Sequence, residues 1–181
     1  MEQLRMIFEA DNTELPVLSV AEGFRLRTIS EGDLEKYSAL RVSVDFSAWT
    51  QEDYRNYQQS VLPEGLFLIE EISSGKFAAS AGAERSAQTD TGVLGWVIAH
   101  PDFRGKQLGR AVCVAAMQRL YQEGYRKFLL STDDFRIPAI KTYLKMGWKP
   151  LLYQEDMEAR WRSIADKIEC RFESFQALSS K

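Results

Sequence analysis

One loop of the sequence combines glycines and positive charges at the start of a predicted helix. It follows a predicted strand that ends at Ala99 and leads into a helix predicted from about Gly109 to Gln122. The backbone N–H groups of a first helical turn have no partner within the helix, and the helix dipole is positive there, so such a turn can bind phosphate. The glycines and cations that would favour an anion here are Arg104, Gly105, Lys106, Gly109 and Arg110. An ordinary surface turn would show the same pattern, so the loop by itself leaves both interpretations open.

Two common nucleotide-binding motifs do not fit this loop. A P-loop requires Gly-x-x-x-x-Gly-Lys followed by Ser or Thr, whereas Gly105 and Gly109 are too close together and Arg110 and Ala111 follow them. The dinucleotide-binding fingerprint requires three glycines directly after a strand, which the loop also lacks. The sequence therefore argues against ATP and NAD as ligands.

The segments on both sides of the loop predict a mixed α/β sheet. Alternating apolar and polar residues predict half-buried strands, and a nearly all-apolar run predicts a strand in the middle of a sheet. The predicted strands are 24–28, 66–69, 77–83, 93–99, 127–131 and 148–153. Cap and proline signals predict helices that begin near 33, 50, 109 and 138, and a polar loop is predicted from Glu84 to Asp90.

The two ends of the chain give weaker patterns. Leu4, Met6 and Phe8 alternate along the chain, which predicts a short strand at an edge of the sheet. The segment 156–175 places six apolar residues on one helical stripe, which predicts a helix packed on its own domain or, as the less common alternative, a homodimer contact. The six are Met157, Trp161, Ile164, Ile168, Phe172 and Phe175. We therefore predict a single domain over residues 1–181, with an N-terminal extension (1–23), a core (24–153) and a C-terminal helix (154–176).

The composition of the chain argues against several classes of protein. The chain has 181 residues, 45% of them hydrophobic, which is about one domain with a real core. With 23 Lys and Arg against 26 Asp and Glu, its net charge of -3 argues against a nucleic-acid binder. One histidine, His100, and two cysteines, Cys113 and Cys170, exclude a zinc cluster and a disulfide framework. The longest apolar run, 111–117, is too short to span a bilayer, so a cytoplasmic protein without a membrane or metal partner is expected.

Two blocks of the sequence, 97–110 and 134–148, resemble the GNAT superfamily of acyl-CoA-dependent N-acyltransferases. The resemblance covers roughly Leu66 to Pro150. In that family a loop of the form Arg/Gln-x-x-Gly-x-Gly/Ala holds the CoA pyrophosphate with its backbone N–H groups. Arg104 and Gly109 match the ends of this pattern, and Gln107 stands where its first glycine usually lies. The resemblance implies an α/β (α+β) fold: a mixed, mostly antiparallel sheet with helices on both faces and a splayed central strand pair.

The resemblance also implies the residues that bind acetyl-CoA. The backbone at Val97 and Ala99 would pair with the pantetheine arm, as an added strand would. The residues implied for the phosphates are Arg104, Gly105, Lys106, Gln107, Leu108, Gly109 and Arg110. Tyr143 matches the tyrosine of the second block and is implied as the general acid for the CoA thiolate. A phenol, with a pKa of about 10 against about 8.5 for a cysteine-like thiol, stays protonated at neutral pH. The alternative for Tyr143 is an ordinary half-buried helix residue.

The general base and the acceptor pocket are less well defined. Some family members carry a glutamate on the strand that corresponds to 91–99, but this sequence has no carboxylate there. The base is then an ordered water or a carboxylate from elsewhere, and the candidates are Asp133, Asp134 and Glu70. Four aromatic residues lie in the region that corresponds to the family's first two helices, which line the acceptor pocket. They are Phe46, Trp49, Tyr54 and Tyr57. Packing in the core is the more common role of such residues. His100 is expected to face solvent without a catalytic role, and Cys113 to be an inert packing residue.

These features predict an N-acetyltransferase that moves an acetyl group from acetyl-CoA to a primary amine of a small molecule or peptide. Direct attack in a ternary complex is expected, because no nucleophile is placed for a covalent intermediate. The alternative is a catalytically inactive acyl-CoA-binding sensor or interaction module. The missing carboxylate on the strand 91–99 and the departure at Gln107 keep that alternative open.

Overall fold

Eight strands form one sheet in the computed structural model, which describes residues 2–86 and 90–179. The strands are β1 (Leu4–Glu9), β2 (Phe24–Thr28), β3 (Val61–Glu71), β4 (Phe77–Arg85), β5 (Thr91–Ala99), β6 (Lys127–Thr132), β7 (Lys149–Leu152) and β8 (Leu178–Ser179). The α-helices are α1 (Leu34–Val42), α2 (Gln51–Ser60), α3 (Leu108–Glu123), α4 (Ile137–Lys145) and α5 (Met157–Lys167).

The sheet is mostly antiparallel and has helices on both faces, as predicted. Its strand order is β2-β3-β4-β5-β6-β1-β7-β8, and only the pairs β5–β6 and β7–β8 run parallel within the described residues. Alternate residues of β4, such as Ala79 and Ala81, pack in one core with α3, whereas Tyr37 of α1 and Tyr57 of α2 pack in a second core on the other face. None of the helices described combines the length and the apolar character that crossing a membrane requires.

The central strands β5 and β6 separate shortly after they begin. Their pairing is limited to three positions, the last of which joins Val93 to Leu129. Strand β5 also contains a bulge, because Gly82 faces Gly95 while Ser80 faces Ile98, so β5 holds one more residue than β4 over this stretch. A bulge bends its strand and increases the local twist. The two strands therefore diverge into an open slot, the splayed pair that the resemblance implies.

The N-terminal strand is not at an edge of the sheet. Strand β1 lies between β6 and β7 and is antiparallel to both. Leu4, Met6 and Phe8 are fully buried, and the ring of Phe8 stacks on that of Phe128 with centroids 5.7 Å apart. The predicted edge position was wrong because a strand's own alternation shows that one face is buried but carries no information about its neighbours.

The C-terminal segment is not one helix. Helix α5 ends at Lys167, and a short 3-10 helix at Phe172–Phe175 and strand β8 follow. The stripe nevertheless packs on its own domain, since Met157, Trp161 and Phe175 lie in the main core. Packing on its own domain is therefore confirmed for these three residues, and the homodimer contact stays a prediction.

The predicted polar loop at 84–90 is partly strand. Strand β4 continues to Arg85, and Glu84 pairs with Val93 of β5. Residues 87–89 of that predicted loop lie outside the described residues.

Helix α3 begins one residue earlier than predicted, at Leu108, after a residue in a left-handed conformation. Gln107 has φ 57° and ψ 21°, a region that residues with a Cβ rarely adopt. This conformation costs an L-residue about 1–2 kcal/mol. Gln107 therefore makes the turn that the glycine of the resembling loop would make, under strain.

We expect Gln107→Gly to be more stable than the wild type, and Gln107→Val to be less stable than the wild type. Glycine relieves the strain at positive φ, whereas a β-branched residue increases it, so the free energy of unfolding should differ by about 1–2 kcal/mol between Gln107→Gly and Gln107→Val. Urea denaturation of the three proteins measures this difference. Equal stability of the two variants would contradict the left-handed turn.

Candidate active site

The slot between β5 and β6 exposes an unpaired strand edge. The N–H of His100 donates to the carbonyl of Ala78 on β4, at 2.9 Å. Because the backbone groups of successive residues in a strand point to opposite sides, those of Val97 and Ala99 point away from β4 and into the slot. An extended ligand in the slot could therefore form the hydrogen bonds of an added strand.

The N-terminus of α3 adjoins one end of this slot. A methyl group added at Gly109 would lie 3.5 Å from the Cβ of Ala99, at the end of β5. No side chain caps the helix, its first turn contains no acid, and the first backbone bond runs from Ala111 N–H to Gln107 O at 3.0 Å. The N–H groups of residues 108–110 consequently remain available to an anion.

The loop side chains differ in what they can offer a ligand. Arg104 and Lys106 are exposed, and the Lys106 ammonium lies 5.1 Å from the ring centre of Phe24. Arg110 donates to the carbonyl of Val17 at 3.1 Å, so its guanidinium already has a partner. Leu108 is buried in the core and could contribute only its backbone. Exposed Gly105, with φ 82°, supplies the backbone conformation of the turn.

Tyr143 lies deep in the core that lines the α3 side of the slot. Its side chain is 5% exposed, and burial raises the pKa of its phenol well above the ordinary value. Val97 and Leu108 belong to the same core. Cys113, a neighbour of Tyr143, is fully buried, and burial raises the pKa of its thiol to about 12. The tyrosine therefore stays protonated at neutral pH, and Cys113 offers no thiolate nucleophile.

A half-buried carboxylate that the sequence analysis did not identify lies on the other face of the sheet. Glu84 of β4 accepts a hydrogen bond from the hydroxyl of Tyr57, at 2.9 Å. Its carboxylate lies over the Cα of Gly95, where any side chain would overlap it, and Gly82 leaves room for the Tyr57 hydroxyl in the same way. Burial raises the pKa of Glu84 to about 7, although the Tyr57 hydrogen bond opposes the shift. A carboxyl group with this pKa suits proton transfer at neutral pH.

The three carboxylates suggested by the sequence are held in ion pairs. Glu70 is paired with Arg25 at 2.9 Å, and Asp134 is hydrogen-bonded to the Nε of Arg160 at 3.0 Å. These arginines hold the pKa of each of the two carboxyls below its ordinary range. Asp133 is likewise paired with an arginine at 2.9 Å. A carboxylate whose proton affinity is lowered or whose oxygens are occupied is a poor general base.

An aromatic cluster borders the slot on the same face as Glu84. We define the cluster as Tyr37, Phe46, Trp49, Tyr57 and Trp96. Trp96 comes from the bulge of β5, and Phe46 lies 5.1 Å from the guanidinium of Arg136, which follows β6. The cluster therefore reaches residues from both sides of the slot.

The remaining residues that the sequence singled out pack in the core or cap local structure. Tyr54 packs against the core that contains Tyr37 and Tyr57 and lines a cleft between α2 and β3. The Nδ1 of His100 accepts a hydrogen bond from the N–H of Asp102 at 3.2 Å, which caps a short 3-10 helix. Trp148 is 1% exposed and belongs to the core. Within residues 2–86 and 90–179, no group of three or more His, Cys, Asp or Glu side chains could hold a metal ion.

Sequence comparison relates the chain to one known protein family. Residues 34–148 match the acetyltransferase (GNAT) family. The chain is similar to the mycothiol acetyltransferase of Thermobispora bispora, with 30% identity over 147 residues, which cover 75% of this chain and 50% of that protein. It is also similar to the mycothiol acetyltransferase of Nocardia farcinica, with 28% identity over 149 residues, which cover 76% of this chain and 49% of that protein. The chain thus spans about half the length of these curated relatives.

Solved structures share the fold. A GCN5-related N-acetyltransferase from Sphaerobacter thermophilus superimposes with a TM-score of 0.64 and 24% identity, covering 83% of this chain and 49% of that one. The family match takes in the slot, the loop before α3 and the position of Tyr143, and it extends over more than half of the chain. The chain therefore belongs to the GNAT family of acetyltransferases.

Proposed function

We propose that the protein is an N-acetyltransferase that transfers an acetyl group from acetyl-CoA to a primary amine by direct attack in a ternary complex. The observation that carries the proposal is the open slot between β5 and β6, with a free helix N-terminus on one face and the half-buried carboxylate of Glu84 on the other. The slot would let two substrates meet from opposite faces of the sheet. Similarity to two mycothiol acetyltransferases supports transfer to an amine.

Acetyl-CoA would bind from the α3 face. In this proposal the backbone N–H groups of 107–110 hold the pyrophosphate, and Arg104 and Lys106 add positive charge beside it. The backbone of Val97 and Ala99 pairs with the pantetheine arm. The same strand edge donates to the thioester carbonyl and stabilises the negative charge that develops on its oxygen.

Glu84 and Tyr143 would move the protons. Glu84 accepts a proton from the ammonium group of the acceptor, and the free amine attacks the thioester carbon. A C–N bond forms, the C–S bond breaks, and Tyr143 donates a proton to the departing thiolate. The second proton that the nitrogen loses as it becomes an amide passes through solvent and restores the Tyr143 phenol. The missing carboxylate of β5 kept the inactive sensor open as an alternative, and in this proposal Glu84 of the neighbouring strand supplies the carboxylate. We place the enzyme in the cytoplasm, because its two cysteines are free thiols, as is usual in a reducing compartment.

Replacement of Gly109 by Glu should abolish acetyl-CoA binding without unfolding the protein. The new carboxylate would repel the phosphates at the N-terminus of α3, whereas the space beside Ala99 accommodates a Cβ. Calorimetric titration with acetyl-CoA measures the affinity. Gly109→Ala is the matched control, and we expect it to bind within about tenfold of the wild type. Normal binding by the Glu variant would show that the phosphate loop lies elsewhere.

Replacement of Tyr143 by Phe should lower kcat by about 100-fold and leave acetyl-CoA affinity nearly unchanged. Loss of a general acid typically reduces the rate by this order, while the ring that packs in the core is kept. Release of free thiol from acetyl-CoA with a panel of primary amines measures kcat. Tyr121→Phe, on the exposed side of α3, is the matched control. An unchanged kcat would remove the general-acid role.

Replacement of Glu84 by Gln should remove the acidic limb of the pH–rate profile. In the wild type, kcat/KM should fall as the pH drops below about 7, because Glu84 becomes protonated. Glu84→Gln should be slow at all pH values, and Glu52→Gln, which changes an exposed carboxylate, should behave as the wild type. Tyr57→Phe removes a hydrogen bond that lowers the pKa of Glu84, so it should shift the limb to higher pH. A wild-type profile in Glu84→Gln would exclude Glu84 as the base.

The stability of Glu84→Gln provides the control for folding. A carboxyl whose pKa rises from 4.5 to about 7 on folding binds more protons in the folded state. Its contribution to stability is therefore fully present below the unfolded pKa and is lost as the pH rises through the folded pKa. Glu84→Gln should match the wild type at pH 4 and be more stable at pH 8, by on the order of 1–3 kcal/mol.

A further inference from the structure

Arg41, at the centre of the aromatic cluster, is a buried cation without a counter-ion. Its side chain extends from α1 and is 2% exposed. Among the described residues no carboxylate forms an ion pair with it. Arginine is almost never fully buried unless it is paired, because removal of the charge from water is costly.

Two polar atoms in this cluster also lack hydrogen-bond partners. They are Nη1 of Arg41 and the hydroxyl of Tyr37, which lies one helical turn earlier on α1. The Nε of Arg41 donates to the carbonyl of Ser47 at 2.9 Å, which holds the guanidinium in place. A buried donor left without a partner costs about 1–3 kcal/mol, and such groups are rare in folded proteins.

The faces of aromatic rings stabilise the positive charge of Arg41, but they provide no acceptor for its Nη1 donor. The guanidinium carbon lies 4.3 Å from the ring centre of Trp49 and 4.4 Å from that of Trp96. Ring faces attract a cation but do not replace an oxygen acceptor in the guanidinium plane. A ligand with a planar anionic group would complete this arrangement.

The position of Arg41 relates it to the proposed acceptor site. Trp49 lies between Tyr37 and Tyr57, with ring centres 5.1 Å and 4.9 Å away, and Tyr57 donates to Glu84. The unpaired cation and the half-buried carboxylate therefore both contact this aromatic cluster. Trp96, with 38% of its surface exposed, forms the open wall of that cluster.

We propose that the acceptor is an amino acid-like molecule whose carboxylate binds Arg41 while its amine faces Glu84. This substrate class rests on the proposed acetyl transfer. A carboxylate matches the planar fork of a guanidinium, and the Tyr37 hydroxyl adds a third donor. The Trp96 indole moves aside when the carboxylate enters, since Nη1 has no exposed surface.

Matched pairs of ligands test the carboxylate. The probes are glycine, 4-aminobutanoate and 6-aminohexanoate, each compared with its carboxamide, and they are titrated by calorimetry into the protein saturated with CoA. We expect at least one acid to bind ten times more tightly than its amide and to change the tryptophan fluorescence. Equal affinities of all acids and amides would overturn the proposal.

Variants of Arg41 and Tyr37 provide a second test of the carboxylate site. Arg41→Gln should abolish the preference for the acid and leave amide binding unchanged, and Arg41→Lys should retain part of it because the charge remains but the fork is lost. If Arg41→Gln fails to fold, as its thermal unfolding would show, Tyr37→Phe tests the same site and should weaken acid binding about threefold to tenfold. Unchanged acid preference in folded Arg41→Gln and in Tyr37→Phe would overturn the proposal.

The outcomes separate this proposal from the proposed function. Acid binding that depends on Arg41, without acetyl transfer to any amine, would support the carboxylate site and contradict the transferase function. Acetyl transfer to the amino acid probes with the same kcat/KM in the wild type and in folded Arg41→Gln would support the function and overturn the carboxylate site. Binding of 2-aminoethyl phosphate that depends on Arg41, with no binding of the acids, would overturn the assignment to a carboxylate.

Discussion

The early end of pairing between β5 and β6 is the constraint on which the rest of the site depends. Backbone N–H and C=O groups away from water require partners, and those of Val97 and Ala99 face a gap instead of a strand. The gap gives the sheet an internal edge that an extended ligand can complete. It also joins the two faces of the sheet, and in the proposed reaction the loop before α3 and the carboxylate of Glu84 act from these two faces.

The bulge in β5 connects this gap with the acceptor side. One additional residue bends the strand, and it directs both Gly95 and Trp96 toward α1 and α2. Gly95 and its partner Gly82 leave space above the sheet, which Glu84 and Tyr57 occupy. A side chain at either glycine would displace the pair. The two glycines thus matter for the space they leave rather than for conformational freedom.

The presence or absence of a paired arginine decides how partial or full burial affects each carboxyl group. Glu84 is withdrawn from water, which raises its pKa, whereas Glu70 and Asp134 are paired with arginines, which lower theirs. The same chemical group is therefore suited to proton transfer in one place and to ion pairing in the other. Arg41 completes this contrast, since it is a cation that has been buried without an anion.

The sequence by itself determined the features that depend on neighbours along the chain. The turn before α3, the capping box of Thr50 with Asp53 and the core stripe of α5 are local patterns, and the structure contains each of them. The tertiary structure alone decided the position of β1, because alternation does not specify which strands pair. It alone decided the environments of Glu84 and Arg41, since the sequence placed Glu84 in a predicted polar loop and gave no prediction for Arg41. Their surroundings depend on Gly95, Trp49 and Trp96, which lie outside the elements that carry Glu84 and Arg41 and meet them only when the sheet and helices pack.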